Sequence, residues 1–533
     1  MQRAPLIHDP RFTRSQFLRL TAAGMAGAGL LGSGLAAEQA FAQSHSGATP
    51  KRGGVLRMGV TGDVYNFDAP LITDNDSIWT MLLIYDQLTR PTADGLNIEP
   101  SLAKSWEISQ DGKTYTFHLR TDVTFHDGSP MTAEDVKFSI ERCVNLKGSQ
   151  WSFLFPGFKG MEVVDTHTVR AHLSGPRAPF LSDVALFGTS VLPKKLVLSQ
   201  GEKFFQHPVG TGPFMFKSWA KGSKLTLSRN PHHFRAPMPY VDEFQNIVVI
   251  DDNTRALQLQ NGELDIALFV PPAAAGTLRG NSNIVLHQDN FLDSHFIMMQ
   301  NQRPYFQDKL VRQAMNYAID KEAMIKHFLF GYGNASGQAM PKMFGYSDSV
   351  PPYPYDLAKA KALMAKSKFP NGFSTTFDIA ASTVAQSKPQ AEYVQQQLKQ
   401  LGITIAIQQF DDATATARTQ SGKYDMQLSY MTSDIVDPDE LMSFAIVPHG
   451  GTDAIWTYYL NPTIDKLAAQ AAAITDRAQR QKLYDQINVM HHDDAPMIFL
   501  FRTPSLTATS SKVQGFQVLP TGNYRLEQCW FSS

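Results

Sequence analysis

Cysteine is nearly absent from this chain of 533 residues. Only Cys143 and Cys529 occur, far too few for a disulfide scaffold. Cys143 falls on the apolar side of a predicted helix and reads as a buried small thiol rather than one end of a bridge to Cys529. An excess of either charge is missing too. The formal net charge is −1, with 18% charged residues, which gives no basic field for nucleic acid and no acidic tail. Beyond the N-terminus no segment reaches the roughly 18 to 20 apolar residues that a membrane span needs. Low-complexity linkers and internal repeats are absent as well, so the lobes of this long chain are expected to be interwoven rather than strung on flexible tethers.

The familiar catalytic constellations are also missing. There is no G-x-S-x-G elbow, no H-E-x-x-H, no C-x-x-C and no G-x-x-x-x-G-K-[ST] to cradle a nucleotide phosphate. No catalytic residue, metal or cofactor is therefore expected, and any ATP hydrolysis belongs to another polypeptide. His491-His492-Asp493-Asp494 is the densest group of metal-ligand types, but helix neighbours point about 100° apart. It reads as a solvated helix end, as does the turn holding His232-His233. A secreted hydrolase with an unfamiliar site is the competing class.

What is present begins with an export signal. Arg3, Arg11, Arg14 and Arg19 precede an Ala/Gly/Leu run from Leu20 to Ala37 and the cleavage-site pattern Ala40-Phe41-Ala42, so residues 1–42 read as a signal peptide. Arg14-Ser15 resembles a twin-arginine motif with Ser15 in place of the second arginine. The route is either that or the general secretory one. The remaining length, about 490 residues, exceeds what one core usually supports.

Periodicity predicts a mixed α/β chain. Val55–Val60 reads as a strand and Ser77–Leu88 as a helix with Ile78, Leu82 and Tyr85 on one side. Tyr115, Phe117 and Leu119 alternate with polar residues, again as in a strand. Asp127-Gly128 turns the chain, and Thr132 with Asp135 resembles a capping box opening a helix through Val136, Ile140 and Cys143. Thr375–Ile379, a helix Pro389–Leu401 and a strand through Ile403, Ile405 and Ile407 make a βαβ unit. Asn461-Pro462 opens another helix, and the next runs from Asp476 to about His492.

The stretch from Pro100 to Cys143 (PSLAKSWEISQDGKTYTFHLRTDVTFHDGSPMTAEDVKFSIERC) resembles the signature segment of the bacterial extracellular solute-binding proteins of family 5, the peptide- and nickel-binding class of ABC importers. Pro208–Trp219 (PVGTGPFMFKSW), Leu257–Ile266, Asp308–Asp320, Asp434–Asp439 and Tyr459–Leu467 resemble further family stretches in the same order. The resemblance implies an α/β, two-lobed periplasmic-binding-protein fold (type II, cluster C) with a subdomain inserted in lobe I. It places lobe I at 43–89 and 206–289, the insertion at 90–205, lobe II at 290–498 and a C-terminal return to lobe I at 499–533. It implies a periplasmic monomer, partnered by permease subunits in the membrane and separate ATPase subunits. The cargo is a peptide or similar small amphiphilic solute, or else a nickel chelate, haem, glutathione, opine or sugar.

By the same resemblance Asp434, in the loop Asp434-Ile435-Val436-Asp437-Pro438-Asp439, receives the ligand's α-ammonium group, while Asp437 and Asp439 stay structural. An enclosed ammonium loses hydration that a fixed carboxylate restores. Met431 stands where many relatives have tryptophan, with Tyr430 beside it. The carboxylate-binding arginine of dipeptide binders has no counterpart in AASTVAQSKPQ, where Ser382, Thr383 and Lys388 are the substitutes. Tyr65, Asn66, Trp456 and Tyr458 complete the expected ligand-binding set as shape-tolerant contacts in loops.

Overall fold

In Val55–Val60 the side chains of Leu56, Met58 and Val60 are buried, and the strand pairs in parallel with both Glu243–Val248 and Ile266–Ala267. The structure, a computed structural model, describes residues 49–381, 384–447 and 457–532. The expected signal peptide lies outside these residues. Seven strands form the first lobe's sheet in the order Ile284–Asp289, Ser505–Ser510, Ile266–Ala267, Val55–Val60, Glu243–Val248, Lys224–Arg229 and Phe214–Ala220. A second sheet of six strands runs Asn334–Ala335, Met497–Arg502, Asp293–Met299, Met426–Thr432, Ser374–Ala380 and Thr404–Phe410. Along Asp293–Met299 alternate residues face opposite ways. Ile297 and Met299 enter one core and Phe296 and Met298 another, so the second sheet is covered on both faces.

The signature segment supplies Ala103–Ile108 and Thr114–Leu119 to a separate four-stranded antiparallel sheet, completed by Thr168–Leu173 and Phe158–Asp165. Its helix, Ala133–Asn145, starts on the expected capping box: the Asp135 carboxylate accepts from the Thr132 backbone N–H at 2.9 Å. Val136, Ile140 and Cys143 are buried. Cys143 and Cys529 are both free and buried, and burial pushes the Cys143 thiol up to about 12.

Several expectations need correction. The helix after the first strand is Asn75–Met81 and stops short of Leu88, because the following backbone is claimed by the PVGTGP segment. Gly212 N–H and Phe214 N–H donate to the carbonyls of Ile84 and Leu83, each at 2.9 Å. A Cβ on Gly210 would lie 2.0 Å from the Ile84 carbonyl oxygen, so only glycine permits this approach. The βαβ helix spans Val384–Lys399 with Pro389 inside it rather than at its start. The return to the first lobe does not begin at 499. Met497–Arg502 is a strand of the second sheet, antiparallel to Asp293–Met299, and the chain crosses back only between Arg502 and Ser505. The two histidine clusters are solvated only in part: His232 and Asp493 are exposed, but one histidine of each pair is buried. His491 is buried beside Tyr459 and Phe499, and burial pushes it and the buried His233 down to about 3.

Candidate functional site

The chain crosses between the two sheets at Asp289–Asp293 and at Arg502–Ser505, and these crossings are tied together. The buried Asp293 carboxylate accepts from the Thr503 backbone N–H at 3.0 Å, the Thr503 hydroxyl at 2.5 Å and His295 Nε2 at 3.0 Å. In front of them opens a cleft of about 1060 Å³ lined from both lobes. The first lobe supplies Asp74, Asp76, Trp79, Trp151, Phe153, Phe269 and Phe291, and the second supplies His295, Tyr430, Met431, Asp434, Glu440 and Phe444.

Each wall has a local cause. Asp74 caps the helix Asn75–Met81, accepting from Ser77 N–H at 2.9 Å, which sets Asp76 and Trp79 three residues apart on one helical side. The Thr61 hydroxyl donates to Asp76 at 3.2 Å. Burial, with Asp74 close by, nevertheless pushes the Asp76 carboxyl up to about 6. On the opposite wall antiparallel register sets Tyr430 across from His295, and their rings stack with centroids 5.7 Å apart.

The loop after Met426–Thr432 is organised by Glu440. One oxygen of this buried carboxyl accepts from the backbone N–H of Asp434 at 2.8 Å, that of Ile435 at 3.0 Å and the Ser433 hydroxyl at 3.3 Å. Ile435 packs into the first lobe's core. Asp434 stands between the cleft and a chamber of about 70 Å³ lined by Asp86, Arg90, Arg235, Arg525 and Glu527. Burial pushes the Asp434 carboxyl up to about 7, against an opposing hydrogen bond with Glu440. Burial and the Asp434 charge together hold Glu440 well above the usual carboxylate range. Farther along the loop Asp437 is gripped by Arg480 at 2.7 and 2.8 Å, and Asp439 pairs with Arg177, which also holds Asp183 at 2.8 Å.

Of the residues expected from sequence, Asp434, Tyr430 and Met431 meet on the cleft wall. Tyr65, Asn66 and Tyr458 are not among the lining residues. Tyr65 is 78% exposed, with its N–H on the Ser77 hydroxyl. Asn66 is spent on an Asx turn to Asp68 N–H at 3.0 Å, and the Tyr458 hydroxyl donates to the Gln420 carbonyl at 3.0 Å. Trp456 and Ser382 lie outside the described residues, as does Thr383. Sequence reasoning missed Asp76, Trp79, Trp151, His295 and Glu440. The i, i+3 spacing of Asp76 and Trp79 was a usable signal; for Trp151 and His295 only tertiary placement decides.

Comparison with known proteins gives this cleft its context. Residues 97–450 match the model of the bacterial extracellular solute-binding proteins, family 5 Middle. The glutathione-binding protein GsiB of Pectobacterium atrosepticum is 32% identical, over 80% of this chain and 84% of its own length. The probable D,D-dipeptide-binding periplasmic protein DdpA of Escherichia coli is 31% identical, over 90% of this chain and 94% of its own. Among solved structures, the periplasmic binding protein DppA of Helicobacter pylori in complex with the peptide STSA superposes with a TM-score of 0.82 at 29% identity, covering 91% of this chain and 99% of that one. With two lobes about a lined cleft and a family match over most of its length, the chain belongs to the bacterial extracellular solute-binding proteins of family 5.

Proposed function

We propose that this protein is the periplasmic binding component of an ABC importer and that it takes a small peptide or peptide-like amphiphile between its lobes. The observation that carries the reading is the cleft of about 1060 Å³, walled by aromatic side chains of both lobes and by Asp434. Its size suits a solute of several residues. A ligand that touches both walls favours the closed arrangement by its differential affinity, and the closed form is what a membrane permease recognises. The two crossings are the places where the backbone bends on closure. Asp434 receives the ligand ammonium, with Tyr430 and Met431 beside it as apolar contacts. The protein acts as a monomer, binds without turnover, and leaves ATP hydrolysis to separate subunits. Relatives named for peptides and for glutathione support the peptide-like cargo.

The test is calorimetry of the mature protein against short peptides, followed by mass spectrometry of the recovered ligand. Saturable binding of one intact molecule per chain is expected. Peptide cleavage would place the protein in the hydrolase class instead.

A further inference from the structure

Apart from His295, which is paired with Asp293, the ionisable groups described on the cleft lining are all acids. Asp74, Asp76, Asp293, Asp434 and Glu440 line it, and among the described residues no lysine or arginine does. Residues 382–386 and 448–456, whose side chains lie outside the description, contain no lysine or arginine in sequence. The arginines of the adjoining chamber are already matched: Arg235 to Asp86 at 3.3 Å, Arg90 to Glu99 at 2.7 Å, and Arg525 to Glu99 at 3.3 Å. Only about 70 Å³ is free beside them. A ligand carboxylate entering the cleft would lose its hydration without gaining a counter-charge, an uncompensated burial.

The remaining surface favours the opposite charge. Trp79, Trp151, Phe153, Tyr430 and Phe444 present aromatic rings on both walls, and aromatic faces attract cations as well as apolar groups. A second observation concerns hydrogen bonding. The indole N–H of Trp79, buried behind the same wall, has no acceptor among the described residues, and an amide carbonyl that reached it as the lobes close would supply one.

We propose that the cargo is a cationic amphiphile, an amine-bearing and amide-containing solute with apolar side chains and no free carboxylate inside the cleft. This rests on the reading of the cleft as the cargo site. It sharpens the substrate class from peptides in general to peptide amides and related monocations.

The experiment titrates the mature protein by calorimetry with one dipeptide skeleton, Leu-Phe, in four end states: amine with amide, amine with acid, acetyl with amide, and acetyl with acid. The amine-amide form should bind at least tenfold tighter than the zwitterion, and the acetyl-acid form should bind weakest. Asp76→Asn with Asp434→Asn should abolish the preference for the cation. Equal or tighter binding of either acid-bearing form would overturn the charge assignment and leave the transport reading intact. A thermal-shift panel of 2-phenylethylamine, phenylalanine and 3-phenylpropionate runs alongside. If no Leu-Phe form binds while the amine alone stabilises the protein, the peptide reading fails and the charge assignment stands. If the amine does not stabilise the protein either, the charge assignment fails too.

Discussion

One loop, from Ser433 to Glu440, holds two pairs of acids with opposite fates. The far pair, Asp437 and Asp439, stays off the cleft lining and is buried against Arg480 and Arg177. The near pair, Asp434 and Glu440, lines the cleft, where no lysine or arginine stands among the described lining residues and His295 is taken by Asp293, and burial pushes Asp434 up to about 7. The residue types are the same and the spacing is a few positions. The counter-charge makes the difference: the far pair is completed from within the protein, so it fixes the loop, whereas the near pair is left to be completed by something that enters. A buried carboxyl without a cation is costly to ionise, and an arriving ammonium removes that cost.

The far pair should show its role in stability. Arg480→Met strands Asp437 in the interior, and urea denaturation should record a loss of about 3–5 kcal/mol in unfolding free energy. A loss below about 1 kcal/mol would mean that Asp437 is not held as described. Next in size, Asp434→Asn should weaken binding of Leu-Phe amide by about 2–3 kcal/mol, the worth of a charge-assisted hydrogen bond. It should leave the melting temperature of the free protein unchanged or higher, since a buried acid with no basic partner has been removed.

The same contrast predicts a pH dependence. A bound cation stabilises ionised Asp434, so the carboxyl has a lower pKa in the complex than the value of about 7 in the free protein. Affinity is then complete above about 7 and falls as pH drops through the interval between the two values, by up to about 1.4 kcal/mol per pH unit. Asp76, pushed up to about 6, extends the decline. The other carboxyl, guanidinium and imidazole groups around Asp434 are Glu440 beside it, Asp86, Arg90, Arg235, Arg525 and Glu527 in the chamber, and Asp74, Asp76, Asp293 and His295 in the cleft. Titrations at pH 8, 7, 6 and 5 check this, with the acetylated amide staying flat. The smallest effect is expected from Tyr65→Ala. The exposed tyrosine lies outside the cleft lining, and affinity should stay within about twofold.

Much of the fold was legible where a few neighbouring residues decide it. The capping box at Thr132 and Asp135, the alternation in Thr114–Leu119 and the Asn461-Pro462 helix start are local signals with local causes. The parallel pair Ser374–Ala380 and Thr404–Phe410 was readable from its helix and spacing. What the sequence hid is set by distant partners. The backbone after Met81 leaves the helix because glycines some 130 positions later close on Ile84. Met497–Phe501 is apolar throughout and would suit either sheet; the register of its strand with Asp293–Met299 assigns it to the second. In the site, Asp434 was legible through the family loop, but its contrast with Asp439 was not. That contrast depends on Arg177, which is 262 residues away.

A double-mutant cycle in calorimetry decides whether Asp434 is completed by a cation from the ligand. The two changes are Asp434→Asn in the protein and acetylation of the amine in Leu-Phe amide. The substitution should cost about 2 kcal/mol or more against the free amine and almost nothing against the acetylated ligand. Equal losses for both ligands, or no loss for either, would contradict that pairing.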